Sequence, residues 1–178
     1  MATYSIDTAH SEIAFTVRHM MFAKVRGQFK TWSATLSYDP ANASASNVQV
    51  EIDVASIDTH EAQRDGHLRS GDFFDAEKFP KITFASKRVE STGKGRYKLA
   101  GDLTIHGVTN EVTLEVEQTG HGKDPWGNER LGFNAKATIL RSDFGLKWNQ
   151  ALETGGVLVS DKVEIEAELQ VVQARAAA

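Results

Sequence analysis

The segment KVEIEAELQVV places Val163, Ile165, Ala167, Leu169 and Val171 at alternate positions, with Glu164, Glu166, Glu168 and Gln170 between them. Successive side chains of an extended chain point to opposite faces, so this pattern buries its apolar set as a strand with one wet face. A helix would scatter the same residues around its circumference. EVTLEVE repeats the alternation, with Val112, Leu114 and Val116 against Glu111, Thr113, Glu115 and Glu117. Six further segments follow it less cleanly: residues 11–19, 27–39, 46–56, 81–90, 96–106 and 130–140.

Eight such strands are joined by turn-rich stretches, among them DPANASASN, STGKGR, HGVTN and HGKDPWGN. No strand–helix alternation interrupts them, which argues for antiparallel pairing in a closed barrel or a sandwich. The chain of 178 residues is expected to form a single domain, residues 1–178, large enough for a core without staples. It has no cysteine, so disulfides and thiolate metal sites are excluded. A net charge of −4 and the lack of a Lys/Arg run argue against nucleic acid as a partner. No apolar run approaches the ~20 residues of a membrane-spanning helix. The opening MATYSIDTAHSEIAF has no basic segment leading into an apolar one. The expected location is cytoplasmic, or periplasmic if a leader has been removed.

Two stretches depart from the period. In DTHEAQRDGHLRSGDFFDAEKFP, Asp58 is the expected helix N-cap, Glu61 its capping-box partner and Gly71 the C′ residue. Asp65 and Arg69 are spaced for an i, i+4 pair, and Arg64 and His67 share a face that could meet an anion. With so little apolar stripe, this short helix suits a barrel mouth better than a core. The second stretch, residues 141–161, is too long for a hairpin loop, and Phe144, Leu146 and Trp148 predict that it packs near the rim.

On the strands, Ile13, Phe15, Val17 and His19 share one phase. Met20, Met21 and Phe22 follow, then Phe29, Trp32, Ala34 and Leu36. Phe84, Leu103, Ile105, Phe133 and Ile139 are expected across the barrel. Small residues on the same faces (Ala34, Ser86, Gly101, Ala135 and Ala137) leave a lumen unless larger neighbours fill the space, and the residues alone leave both outcomes open. The residues expected to line a lumen are Phe15, Val17, His19, Met21, Phe22, Phe29, Trp32, Phe84, Phe133, Phe144 and Trp148. Arg64, His67, Arg141 and Lys147 are the expected rim cations for a polar or anionic head.

Signals for catalysis are missing. The six histidines form no HxH or HExxH spacing, and GxSxG is absent, so neither a metal nor a catalytic residue is assigned. Asp143–Phe144–Gly145 repeats a kinase triplet without the glycine-rich loop or HRD that would give it meaning.

The motifs YSIDTAHSEIAFTVRHM, VRGQF, SIDTHEAQRDGHLRSGDFFDAEKFPKITF, GDLTIHGVTNEV and RSDFGL, in this order, resemble the YceI-like family over nearly the whole chain. The resemblance implies an all-β, lipocalin-like, extended eight-stranded antiparallel barrel, with a short helix and a long loop near the rim. It also implies a polyisoprenoid or other long-chain amphiphilic lipid in the lumen and a homodimer; no cofactor is expected. On this reading RDGHLRSGDFF is a capped helical turn that seals the barrel, anchored by Phe73–Phe74. The expected function is non-catalytic binding, transport or sequestration of such a lipid. The alternatives are a barrel enzyme using His19 or His67 as acid–base group, and a filled, purely structural barrel.

Overall fold

The computed structural model describes residues 2–150, 152 and 158–174. Residues 151 and 153–157 of the expected rim loop, and 175–178 of the QARAAA tail, lie outside the described residues.

The eleven strands among the described residues close into a barrel of eight antiparallel staves. The first three staves are each built from two strands in succession. The first is β1 (Ala2–Ile6) and β2 (Glu12–His19), separated by a 3₁₀ turn at Thr8–His10. The second is β3 (Ala23–Phe29) and β4 (Trp32–Tyr38), and the third β5 (Asn47–Asp53) and β6 (Ile57–Asp58). Five unbroken strands complete the circle: β7 (Lys81–Gly93), β8 (Arg96–Ile105), β9 (Val108–Lys123), β10 (Glu129–Leu140) and β11 (Lys162–Gln173). β11 closes the barrel by pairing with both halves of the first stave, Val171 opposite Ile6 and Ile165 opposite Phe15.

Several boundaries differ from those the alternation predicts, and two of the differences shape the barrel. Ala2–Ile6 is a strand that the pattern misses, because five residues are too few to show a period. The expected strand 27–39 is broken at Lys30–Thr31, where the chain changes partners: β3 pairs with β2 and β6, whereas β4 pairs with β1 and β5. The two backbones stay joined across the break, Lys30 N–H donating to Ser56 O (3.2 Å) and Asp53 N–H to Thr31 O (3.0 Å).

The interior has two apolar clusters. The larger one gathers Ile13, Phe29, Ile52, Ile82, Phe84 and Leu103 with their neighbours. The smaller one lies at the far end and packs Tyr38 against Tyr97 (6.0 Å, 85°) and Phe133 (5.5 Å, 83°), edge to face. Burial holds the Tyr38 hydroxyl well above the ordinary tyrosine pKa, helped by its 2.6 Å hydrogen bond to Tyr97. Gly101 shows how the small residues are used. A Cβ built there would lie 2.5 Å from both Phe84 Cζ and the Ala85 carbonyl, so the Phe84 ring occupies the room that glycine leaves.

The single described helix, α1 (Ala62–Arg69), lies at the end bearing β2, β3 and β6. Its N-cap is Glu61, not Asp58: the Glu61 carboxylate accepts from Gln63 and Arg64 N–H, while Asp58 takes the N–H of His60 (2.9 Å). Its C-cap is Ser70, which puts Gly71 at the expected C′ position, although Gly71 does not take the left-handed conformation.

An apolar cavity beneath a short helix

At the helix end the barrel holds a cavity of about 740 Å³, within the size range of small-molecule sites. Strand alternation supplies its wall: Phe15, Val17 and His19 from β2, Val25 and Phe29 from β3, and Val163 and Ile165 from β11. Ile82, Ile105 and Ile139 contribute from β7, β8 and β10. Phe15 reaches inward because β3 carries Gly27 directly opposite; a Cβ there would lie 2.3 Å from Phe15 Cζ.

The roof is α1 and the segment after it. Asp65 is buried and accepts from Thr59 N–H (2.9 Å) and Thr59 Oγ1 (2.5 Å). Arg64 donates to the same residue, from Nε to Thr59 Oγ1 (2.7 Å) and from Nη2 to Thr59 O (2.6 Å). The expected Asp65–Arg69 pair does not form, since Asp65 turns inward to Thr59 and Arg69 donates to Ala55 O (3.1 Å). His67 Nε2 lies 2.9 Å from Asp72 Oδ2, and its ring stands edge-on to Phe73 (5.0 Å) and Trp148 (4.7 Å). Phe74, packed edge-on to Phe29 (6.1 Å), anchors the segment from below.

Arg141 closes the third side. It is buried, and its guanidinium donates to four carbonyls: Ser160 (2.9 Å), Leu146 (2.7 Å), Trp148 (2.9 Å) and Val159 (3.3 Å). No carboxylate forms an ion pair with it among the described residues. Burial lowers its pKa, with Asp161 pulling the other way. A guanidinium used in this manner ties the rim segment to the barrel, so Arg141 is a buried staple rather than the exposed rim cation expected from its position.

Of the residues expected at the site, Phe15, Val17, His19, Phe29, Trp148, Arg64, His67 and Arg141 line this cavity. Phe133 does not. It borders a separate apolar cavity of about 90 Å³ at the far end, with Ala34, Ala135 and Leu169. The lumen is therefore divided rather than continuous. Phe84 and Trp32 line neither cavity; both belong to the large cluster, whose side chains fill the barrel between the two ends. Phe144 is 1% exposed in that cluster, because the 3₁₀ turn Arg141–Phe144 points it inward. Met21 and Phe22 stand outside on the β2–β3 turn, and Lys147 is exposed away from the cavity. Counting by twos beyond His19 fails because the chain reverses there.

Several lining residues were missing from the expectation. Val25 is the cross-strand partner of Val17, a register that is invisible until the two strands are paired. Leu68, Phe73 and Leu146 enter from the helix and loops, where no period marks an inward face.

The comparisons with known proteins agree with this geometry. A UPF0312 protein of Vibrio vulnificus (strain YJ016) is 45% identical over 147 residues, covering 82% of this chain and 78% of its own. The crystal structure of Burkholderia cenocepacia BcnA superposes with a TM-score of 0.82 at 30% identity, covering 93% of this chain and 98% of its own. A domain from Saccharophagus degradans, described as polyisoprenoid binding and implicated in plant cell wall breakdown, shares the fold with a TM-score of 0.71 at 17% identity. It covers 98% of this chain and 100% of its own. The model of the YceI-like domain matches residues 4–171, nearly the whole barrel, and the chain belongs to the YceI-like family.

Proposed function

We propose that the protein binds a long-chain apolar lipid of the polyisoprenoid class in the cavity beneath α1, and carries or sequesters it without transforming it. The observation that carries this reading is the cavity itself. Its wall is mostly aliphatic and aromatic, and several of its polar groups are committed to the protein: Arg64 to Thr59, His67 to Asp72 and Arg141 to four carbonyls. Such a wall favours apolar chains through buried area, about 0.8 kcal/mol per methylene before ordering costs. The likeness to a domain described as polyisoprenoid binding supports the choice of ligand class. The non-catalytic reading rests on His67: its ring nitrogen engages Asp72, and no serine or threonine hydroxyl is hydrogen-bonded to the ring among the described residues, the Ser70 hydroxyl donating instead to the His67 carbonyl (2.6 Å).

The test is extraction of purified protein followed by mass spectrometry, then titration with an isoprenoid alcohol for the parent and for Phe15→Asp. The expected outcome is a long-chain species in the extract and loss of at least tenfold in affinity for the folded variant. Equal affinity of parent and variant would place the ligand elsewhere, and turnover of the isoprenoid by pure protein would overturn the non-catalytic reading.

A further inference from the structure

The turn joining β2 to β3 is built from residues that fit it poorly. Met20 and Met21 both have positive φ (52° and 71°), and Phe22 N–H donates back to His19 O (3.3 Å), closing a tight turn within the three-residue loop between the paired His19 and Ala23. Asn and Gly are the residues that favour such a turn, and two methionines carry backbone strain there. All three tip residues are exposed: Met20 by 38%, Met21 by 59% and Phe22 by 73%.

The rest of the hairpin is electropositive. Residues 13–38 contain Arg18, Lys24, Arg26 and Lys30 and no carboxylate, in a chain whose net charge is −4. Arg26 is paired with Glu12 and Lys30 with Asp58. Arg18 and Lys24 are direct cross-strand partners, and neither has an ion-pair partner among the described residues. Two like charges placed opposite one another oppose folding unless something else neutralises them.

The tip also adjoins the cavity. His19, the residue before the turn, lines it, and Met20 N–H is held by Leu158 O (2.7 Å), itself a lining residue. Among the described residues the other exposed large apolar side chains are Val108, Leu140 and Trp126. Val108 and Leu140 share the helix end, so five of the six are at the end that holds the cavity; Trp126 is at the other.

We propose that the Met20–Met21–Phe22 tip inserts into the interfacial layer of an anionic lipid bilayer, with Arg18 and Lys24 against the headgroups. This puts the cavity's end on the surface from which a lipid enters or leaves. The apolar tip supplies the buried contact, and the uncompensated cation pair supplies the preference for anionic surfaces. The idea takes its purpose from the lipid-binding reading, but the docking geometry stands on the hairpin alone.

The experiment uses the full chain and sonicated vesicles of phosphatidylcholine, with or without one third phosphatidylglycerol. Phe22→Trp should show a blue-shifted emission, above that of the parent, and quenching by brominated acyl chains, with the anionic vesicles only and less at high salt. The triple variant Met20→Asn, Met21→Gly, Phe22→Ser gives the turn residues it favours while removing the apolar tip. It should melt no lower than the parent, bind vesicles at least tenfold more weakly, and take up an isoprenoid from dilute ethanol as the parent does. Lys24→Glu should weaken binding to the anionic vesicles, and phosphatidylcholine alone should bind neither this variant nor the parent. Undiminished vesicle binding by the triple variant would overturn the proposal. So would a blue shift of the Phe22→Trp variant that rises with protein concentration without vesicles, which would mean that a second copy covers the tip. Vesicle docking without any isoprenoid uptake would instead count against the lipid-binding reading and leave the docking intact.

Discussion

Gly27 and Phe15 form one unit at the cavity wall. The missing Cβ is what allows the Phe15 ring to cross the facing strand, and Thr59 Cγ2, 2.9 Å from the same point, leaves little room beside it. Gly27→Ala therefore has to move the Phe15 ring, and it is expected to cost about 1–3 kcal/mol as an overpacking change. In a Phe15→Leu background the same substitution should cost much less, since contacting residues are not additive. Urea unfolding of the four proteins of this cycle measures the coupling. Strictly additive losses would mean that the ring and the glycine do not share this space.

At the level of elements, α1 owes its position to side-chain hydrogen bonds more than to an apolar face. Gly66 in its middle and the polar run AQRDGHLR give it little intrinsic stability. Asp65 and Arg64 converge on Thr59, so the helix is fixed to the residue that follows β6. Asp65→Ala leaves the buried Thr59 N–H and hydroxyl without their acceptor, a loss of about 1–3 kcal/mol. Because the helix is the roof of the cavity, the variant should also release bound ligand faster. Hydrogen exchange is expected to rise in residues 59–70 and to stay unchanged in β8 and β9. A uniform rise over the barrel would show that α1 is part of the global unit and not a separately docked element.

Across the whole molecule, one charged cluster ties three distant segments together at the far end. Arg130 donates to Asp7 (2.8 Å), Asp124 (2.9 Å) and Gln170 (3.1 Å). The Arg130 side chain, with His10, holds the Asp7 carboxyl below its ordinary pKa. At Asp124 burial opposes ionisation, but Arg130, Asn128 and the Trp126 N–H together outweigh it and hold the pKa far below normal. A carboxylate depressed in the folded state adds stability above its unfolded pKa, about 4, and loses it as pH falls through the folded value. The protein should therefore be destabilised progressively below about pH 4. Arg130→Met should lower stability at pH 7 and shrink this acid limb, since both carboxylates then titrate nearer their ordinary range. Thermal melts from pH 7 to pH 2 check it; an acid limb unchanged by the substitution would assign the acid sensitivity to other groups.

The alternation in β9 and β11 was enough to determine an antiparallel all-β fold, and the family motifs added a barrel of eight staves. Period two is a local property, written residue by residue, so it survives without knowledge of partners. It also placed Phe15, Val17 and His19 on an inward face, where the cavity lies. What it could not contain was register and filling. Gly101 and Ala135 look equally small in the sequence, yet the first is filled by Phe84 and the second borders open space. Whether a small residue makes a hollow depends on what stands across the barrel, which is set by pairing between strands far apart in the chain. The same holds for Arg141 and Phe22. One is drawn inward by four carbonyls and the other thrown outward by a turn with positive φ, neither of which a count of alternating positions can register.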